Sequence, residues 1–392
     1  MKGKKWLFRP IVFLLIISLL IPTLIASCDG DDTTGPAGET TVTVTVTDTG
    51  PTLAPGETIE LTVANYFPAP AGQSTLLEEF GLELEERTDG RVQVEYFTGG
   101  TLLTAPGMFQ GVLDGVADIG YSHVYYTAGR MPVTEILGLP LGYTTAWVGG
   151  HVMDDFYNEF GPFPEYDGVK VLWLNASDPS AIATRGTPIR TLEDLEGLVI
   201  RAPGLPGEII TALGGTPDGT PMPEVYDSIS KGEIDGETSN WETLFAFKFA
   251  EVVDYTTSLW NITFPFPFYC VMNEEKYNSL PADIKEIFDT LVGEYTEAYN
   301  LLWNTADYLG RSAGEANGVE FITLSEAEGA RFAAAVAPVI DNRIAAMVDA
   351  GYSQAEVEGW IDFIKERIEF WTAKQVRYHI KSAAGPAEVL GD

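Results

Sequence analysis

Cysteine, histidine and positive charge are all scarce in this chain. Two cysteines, Cys28 and Cys270, cannot build a disulfide framework. The three histidines, His123, His151 and His379, stand far apart in sequence. No G-x-S-x-G, H-E-x-x-H or G-x-x-x-x-G-K-[ST] pattern is present, so hydrolase, zincin and P-loop chemistry have no basis in the sequence. Only 23 Lys and Arg stand against 57 Asp and Glu, a formal charge of −34. Such a surface repels nucleic acid and anionic membrane, and at long range it repels an anionic ligand as well. Binding an anion therefore requires a local basic group, shielded from the bulk field by salt and by burial. The acids Glu233, Asp235, Glu237 and Glu242 lack the Asp-x-Asp-x-Asp-Gly spacing of a calcium loop and read as a solvated acidic turn. No metal and no cofactor is expected.

Long apolar runs are missing too, apart from one. Lys2, Lys4, Lys5 and Arg9 precede the apolar stretch Ile11–Ile25, which is interrupted only by Ser18, Pro22 and Thr23. It is short for a membrane span and ends in Ile25-Ala26-Ser27-Cys28, the lipoprotein form of a signal peptide. Residues 1–27 are read as the signal, with Cys28 as a lipidated N-terminus holding an extracytoplasmic protein at the membrane. Loss of those four positive charges takes the chain from −34 to −38. Residues 28–57, rich in Thr, Gly, Asp and Pro, hold too little apolar surface to fold and read as a tether.

The remaining chain is long enough for two lobes with their own cores. Residues 57–67 read as a strand, and Leu76, Leu77, Phe80 and Leu84 have helical spacing. Strict alternation over 91–97 is a second strand; a helix over 105–115 and the buried strand VADIGY follow. This β-α-β-α-β order opens a mostly parallel sheet, with ligand loops at its strand ends. A second module begins near residue 180: Thr191 to Asp194 cap a short helix, followed by strand LVIRAP, helices 205–213 and 223–231, and strand EIDGETS. TFPFPFYCVM then reads as a strand returning to the first lobe, with Cys270 a small buried hydrophobe within it. A helix over 282–316, strand GVEFITL, and a helix boxed by Ser325 and Glu328 complete the pattern. A chain that leaves one lobe and returns makes a two-stranded hinge. The fold class is α/β, a two-lobed, periplasmic-binding-protein-like clamshell. Lobe I takes 58–180 and about 266–310, lobe II takes 181–265 and about 317–350, and 351–392 form C-terminal helices and a tail.

Within residues 190–242 one cation stands out. Arg201 ends an apolar strand and is followed by Ala-Pro-Gly, where an α/β cleft would hold a carboxylate. Its planar fork of donors cannot lose its charge. Strand-end aromatics line the same side from the first lobe: Tyr66 and Phe67 after the first strand, Tyr121, Tyr125 and Tyr126 after the third, with His123 beside them. Each has the alternative of plain loop packing, and Trp173 lies just before the crossover.

The ordered set EERTDGRVQVEYFTGGTL, GVLDGVADIGY, PVTEILGLP, LEDLEGLVIRAPG, ALGGTP, EVYDSISKGEIDGE and NEEKYNSLP, over about 58–375, resembles the extracytoplasmic substrate-binding subunits of TRAP transporters. The resemblance implies two α/β lobes with a long helix spanning both. It implies capture of a small organic acid and its delivery to an ion-gradient-driven permease, without catalysis, by a monomer. It gives Arg201 the carboxylate, Asn240 or Ser239 the role of orienting it, with Trp241 next to them, and Met222 a ligand-facing place. A further arginine of some members is missing from NASDPSAIATR until Arg185, which puts a second ion pair in doubt. An ABC-type receptor lipoprotein, a sensory domain without transport and a lobe-cleft lyase remain as alternatives.

Overall fold

The computed structural model describes residues 57–127, 129–260, 262–383 and 388–391. The signal segment, Cys28 and nearly all of the tether lie outside them. The chain path is β1 (Ile59–Asn65), α1 (Gly72–Arg87), β2 (Val92–Phe97), α2 (Met108–Leu113), β3 (Ile119–His123), α3 (Ala146–Phe160) and β4 (Val169–Ala176). It crosses into β5 (Ala181–Thr184), β6 (Val199–Arg201), α4 (Leu205–Ala212), β7 (Thr216–Asp218), α5 (Met222–Lys231), β8 (Gly236–Ser239), α6 (Glu242–Ala246) and β9 (Tyr255–Ser258). It returns through β10 (Pro267–Asn273), then runs α7 (Glu274–Ser279), α8 (Ala282–Asn317), β11 (Glu320–Thr323), α9 (Glu326–Asp349) and α10 (Gln354–Tyr378).

Two sheets result, one per lobe. The first has the order β2-β1-β3-β10-β4 and the second β11-β9-β5-β8-β6-β7. β1 pairs in parallel with β2 and β3, while β10, arriving from the other lobe, runs antiparallel to β3 and β4. β5 is likewise antiparallel to β8 and β9. The sheets are thus mixed: each takes in an antiparallel strand at a crossing of the hinge. The crossing segments hold each other. Ser177 N donates to Phe266 O at 3.0 Å, Phe266 N donates back to Ser177 Oγ at 3.0 Å, and Leu259 N donates to Ser180 O at 3.1 Å.

Local chemistry explains where the elements begin. Thr191 and Asp194 form a reciprocal capping box on a single 3-10 turn, Leu192–Leu195. Ser325 Oγ accepts from Glu328 N at the start of α9. Gly318, at φ 81°, closes α8 in the left-handed conformation that costs glycine little. α8 packs against α1, α3 and β4 of lobe I and against α6 of lobe II, so it spans both. Two close approaches hold it there. A Cβ on Gly150 of α3 would lie 1.8 Å from Asn300 Oδ1, and one on Gly310 of α8 would lie 1.8 Å from the carbonyl oxygen of Trp241. Among the described residues no helix is long and apolar enough to cross a membrane.

Candidate functional site

The end of β6 delivers Arg201 to the interface between the lobes. Ile200 and Arg201 pair with Gly236 and Glu237 of β8, and Arg201 also lies alongside Asp218 of β7, so the strand is held on both sides. The side chain is 1% exposed, which is rare for arginine. Its donors are apportioned in a telling way. Nε donates to Thr220 O at 2.9 Å and Nη2 donates to Tyr126 Oη at 2.7 Å, while Nη1 is buried without a partner. No carboxylate lies within ion-pair distance of Arg201 among the described residues. A buried guanidinium with a free edge and no counterion is costly unless an anion completes it.

Two more donors face the same space. Tyr126 Oη also accepts from Met222 N at 2.8 Å. With both its lone pairs taken, the phenol can only donate its own hydrogen, and it finds no acceptor among the described residues. His123 Nδ1 accepts from Tyr125 N at 3.1 Å, so the ring proton resides on Nε2, which is buried and unpartnered. Burial, then the charge of Arg201, hold this imidazole well below its ordinary pKa, so it stays neutral.

Arg201, Tyr126 and His123 line a tight cavity of about 20 Å³ together with Phe67, Met222, Ser239, Asn240, Glu242, Thr243, Phe247, Phe266, Phe268 and Trp303. The wall is largely aromatic. Phe268 lies 4.7 Å from Trp303 between ring centres, and Phe67 packs 5.8 Å from Phe247 across the lobes. The lobes are closed over it. Tyr126 of lobe I meets Arg201 and Met222 of lobe II, and Arg343 of α9 joins Glu208 of α4 to Glu135 of lobe I, each at 2.9 Å.

Of the residues singled out by sequence, Arg201, Tyr126, His123, Phe67, Met222, Ser239 and Asn240 meet at this cavity. Asn240 and Ser239, expected to orient the ligand, are partly engaged within the protein, though one of the two Asn240 amide hydrogens is left over. Asn240 Nδ2 donates to Asp307 Oδ1 at 2.5 Å, and Ser239 Oγ donates to Glu237 Oε1 at 2.9 Å. Other candidates lie elsewhere. Trp173 is core, packed edge-on against Phe80 and tilted against Tyr299. Arg185 caps the end of α5, its Nη1 donating to Ile229 O and Ser230 O. Trp241 turns outward onto Phe321 and Arg311. Tyr125 packs on Phe266 and against Gly204, and Tyr66 stacks behind Phe67 and borders a separate surface groove.

Sequence reasoning did not identify Glu242, Phe247, Phe268 or Trp303 as wall residues. The aromatics carry a signal that only the fold decodes: Phe268 sits on the return strand and Trp303 halfway along α8. Only half of the acidic turn is solvated as expected: Glu233 is exposed and Asp235 half-buried, whereas the other two acids are not. Glu237 and Glu242 are 1% and 4% exposed. Burial pushes the Glu237 carboxyl up to about 7, Arg201 pulling it back down, and pushes Glu242 up to about 8, helped by Asp307 and Glu237. Glu237 Oε2 and Glu242 Oε1 have no hydrogen-bond partner. Asp307, pushed by burial to about 6, accepts from Asn240 and from Glu242 N. Among the described residues no cluster of three or more metal-ligating side chains is present.

Residues 66–346 match the bacterial extracellular solute-binding protein family 7. A TRAP periplasmic solute-binding protein from Desulfovibrio salexigens, solved as an open complex, is 32% identical, with 81% of this chain and 97% of that one covered and a TM-score of 0.66. A marine metagenome TRAP solute-binding protein specific for aromatic acid ligands, in complex with 3-hydroxybenzoate, is 25% identical over 80% of this chain and 99% of its own, with a TM-score of 0.75. The 2,3-diketo-L-gulonate-binding periplasmic protein of Escherichia coli is 28% identical over 58% of this chain and 69% of its own.

Proposed function

This chain belongs to the bacterial extracellular solute-binding protein family 7, the substrate-binding subunits of TRAP transporters, and from that premise we propose that it carries a small monocarboxylate with a flat apolar body to a TRAP permease. The family consists of extracytoplasmic binding proteins and not of enzymes. The observation that carries the reading is the set of three unpartnered donors at one closed cavity: Arg201 Nη1, the Tyr126 hydroxyl hydrogen and His123 Nε2–H. A carboxylate offers two oxygens with four lone pairs and accepts from all three. The aromatic wall suits a ring or a short apolar chain, which gives aromatic acids precedence over hydroxyl-rich sugar acids. Closure around the ligand gives the permease one surface for the loaded state.

A thermal-shift screen over benzoate, 3-hydroxybenzoate, pyruvate and D-glucuronate tests this. The aromatic acids raise the melting temperature most, by mass action on the folded state. A shift by glucuronate alone would overturn the preference, and no shift by any of them would overturn the reading.

Membrane attachment through Cys28 belongs to the same proposal. It rests on the basic n-region, the short apolar run and the small residues before the cysteine. Mass spectrometry of the protein from a bacterial membrane fraction is expected to find lipid on Cys28, and Cys28→Ser is expected to move the protein into the soluble fraction. An unmodified chain cleaved elsewhere would contradict it.

A further inference from the structure

The cavity that would take an anion carries one acid on its wall beside its one cation, and a second acid just behind it. Glu242 lies on the wall, and Glu237 stands behind it, accepting from the wall residues Ser239 and Thr243 through Oε1. Glu242 Oε1 and Glu237 Oε2 remain buried and unpartnered. A carboxylate ligand brings acceptors only. Two acceptor oxygens facing a third do not bond unless a hydrogen stands between them. Arg201 is the one cation on the wall, and its free edge satisfies one negative charge. Resting on the reading above, we propose that this receptor captures its acid together with a proton from solvent, held on the Glu237–Glu242 pair, so that the pair faces the ligand with a carboxylic acid O–H.

Burial and the neighbouring acids favour a proton on the pair, and they outweigh the groups that oppose it. From α8, Asp307 is the nearest additional acid; it accepts the backbone N–H of Glu242 and opposes ionisation of the Glu242 side chain. From β3, His123 is kept neutral by its Nδ1 bond and supplies no charge. The phenols of Tyr66 and Tyr121, each pushed up by burial, stay protonated beside Glu242. Arg201, across β6 and β8 from Glu237, is the one opposing charge, and a bound carboxylate would neutralise it; the hydroxyls of Ser239 and Thr243 on Glu237 and the amide of Gln73 on Glu242 also favour the ionised form. Glu237 adds to the upward push on Glu242, so ionisation of both at once is disfavoured.

Calorimetric titration of the mature chain settles the matter, using the best binder among benzoate, 3-hydroxybenzoate, pyruvate and D-glucuronate. Phosphate and Tris buffers, which differ in ionisation enthalpy, report proton transfer directly and need no variant. Near pH 8, where Glu242 is poised, roughly half to one proton is expected to be taken up per ligand. Above that pH, affinity is expected to fall about tenfold per unit. In the Glu237→Gln, Glu242→Gln double variant, uptake is expected to vanish and affinity to stay flat with pH. Binding without proton uptake, or uptake that persists in the double variant, overturns the inference while leaving carboxylate capture intact. No binding by any of the four acids overturns the parent reading and this inference with it.

Discussion

A single buried guanidinium organises the site. Arg201 uses two of its nitrogens to anchor itself, on Thr220 O and Tyr126 Oη, and leaves the third at the cavity. That division of donors makes Arg201→Lys a poor replacement, because an ammonium cannot hold both anchors and present a fork. Arg201→Ala is expected to weaken acid binding by at least about 100-fold, the scale of losing one partner of a buried charged pair. Tyr126→Phe removes a donor to the ligand and an anchor of Arg201, with an expected loss of ~10- to 100-fold. Calorimetry on refolding-competent variants checks both, and near-native affinity in either would contradict the assignment. At this scale the sequence was readable for cations and opaque for acids. Arg201 stood out because so few basic residues surround it, whereas Glu242 is one more carboxylate in an acid-rich chain. Its burial follows from the short helix α6 packing on α8, which no local pattern announces.

Elements decide whether the cavity opens and shuts. The strand and helix order of lobe I, the capped turn at Thr191 and the long helix were all readable from periodicity and caps. The pairing of β10 between β3 and β4 was not, since hydrophobic runs do not specify neighbours. Nor was the bridge made by Arg343. Its side chain is 11% exposed and joins Glu208 of α4 to Glu135 near α3, so it ties the lobes together in this closed arrangement. Burial raises the Glu135 carboxyl and Arg343 offsets part of that. Arg343→Ala is expected to favour the open state, speeding ligand release by roughly 3- to 10-fold with little change in melting temperature, as for a partly exposed ion pair. Stopped-flow dissociation checks this, and an unchanged off-rate would remove Arg343 from the closing mechanism.

At the scale of the whole molecule, acidity shapes behaviour beyond binding. Buried acids with raised pKa values hold protons more tightly folded than unfolded. Glu237 and Glu242, at about 7 and about 8, therefore contribute stability that is fully present below the ordinary carboxylate range. It is lost as pH rises through those values, with a slope of up to ~1.4 kcal/mol per pH unit for each proton. The ligand-free protein is expected to melt at progressively lower temperature from about pH 5 to about pH 8, and a Glu242→Gln variant to show a shallower fall. A melting temperature that rises over this window in both proteins would contradict the burial of ionisable carboxyls. Family membership was readable from the ordered motifs, which mark turns, caps and strand ends along residues 66–346. An ABC-type receptor, left open by the fold pattern alone, is set aside by the match over residues 66–346.

Recognition of a carboxylate as such is the property that the donor set of the cavity should confer. Benzoate and benzamide have nearly the same shape and differ in charge and in the –NH₂ donor that benzamide places where a second acceptor should be. Calorimetric comparison of the two on the wild-type protein is therefore the most direct test. Benzoate is expected to bind at least about 100-fold more tightly, because benzamide turns a donor toward Arg201, Tyr126 and His123. Equal affinities, or a preference for the amide, would contradict it.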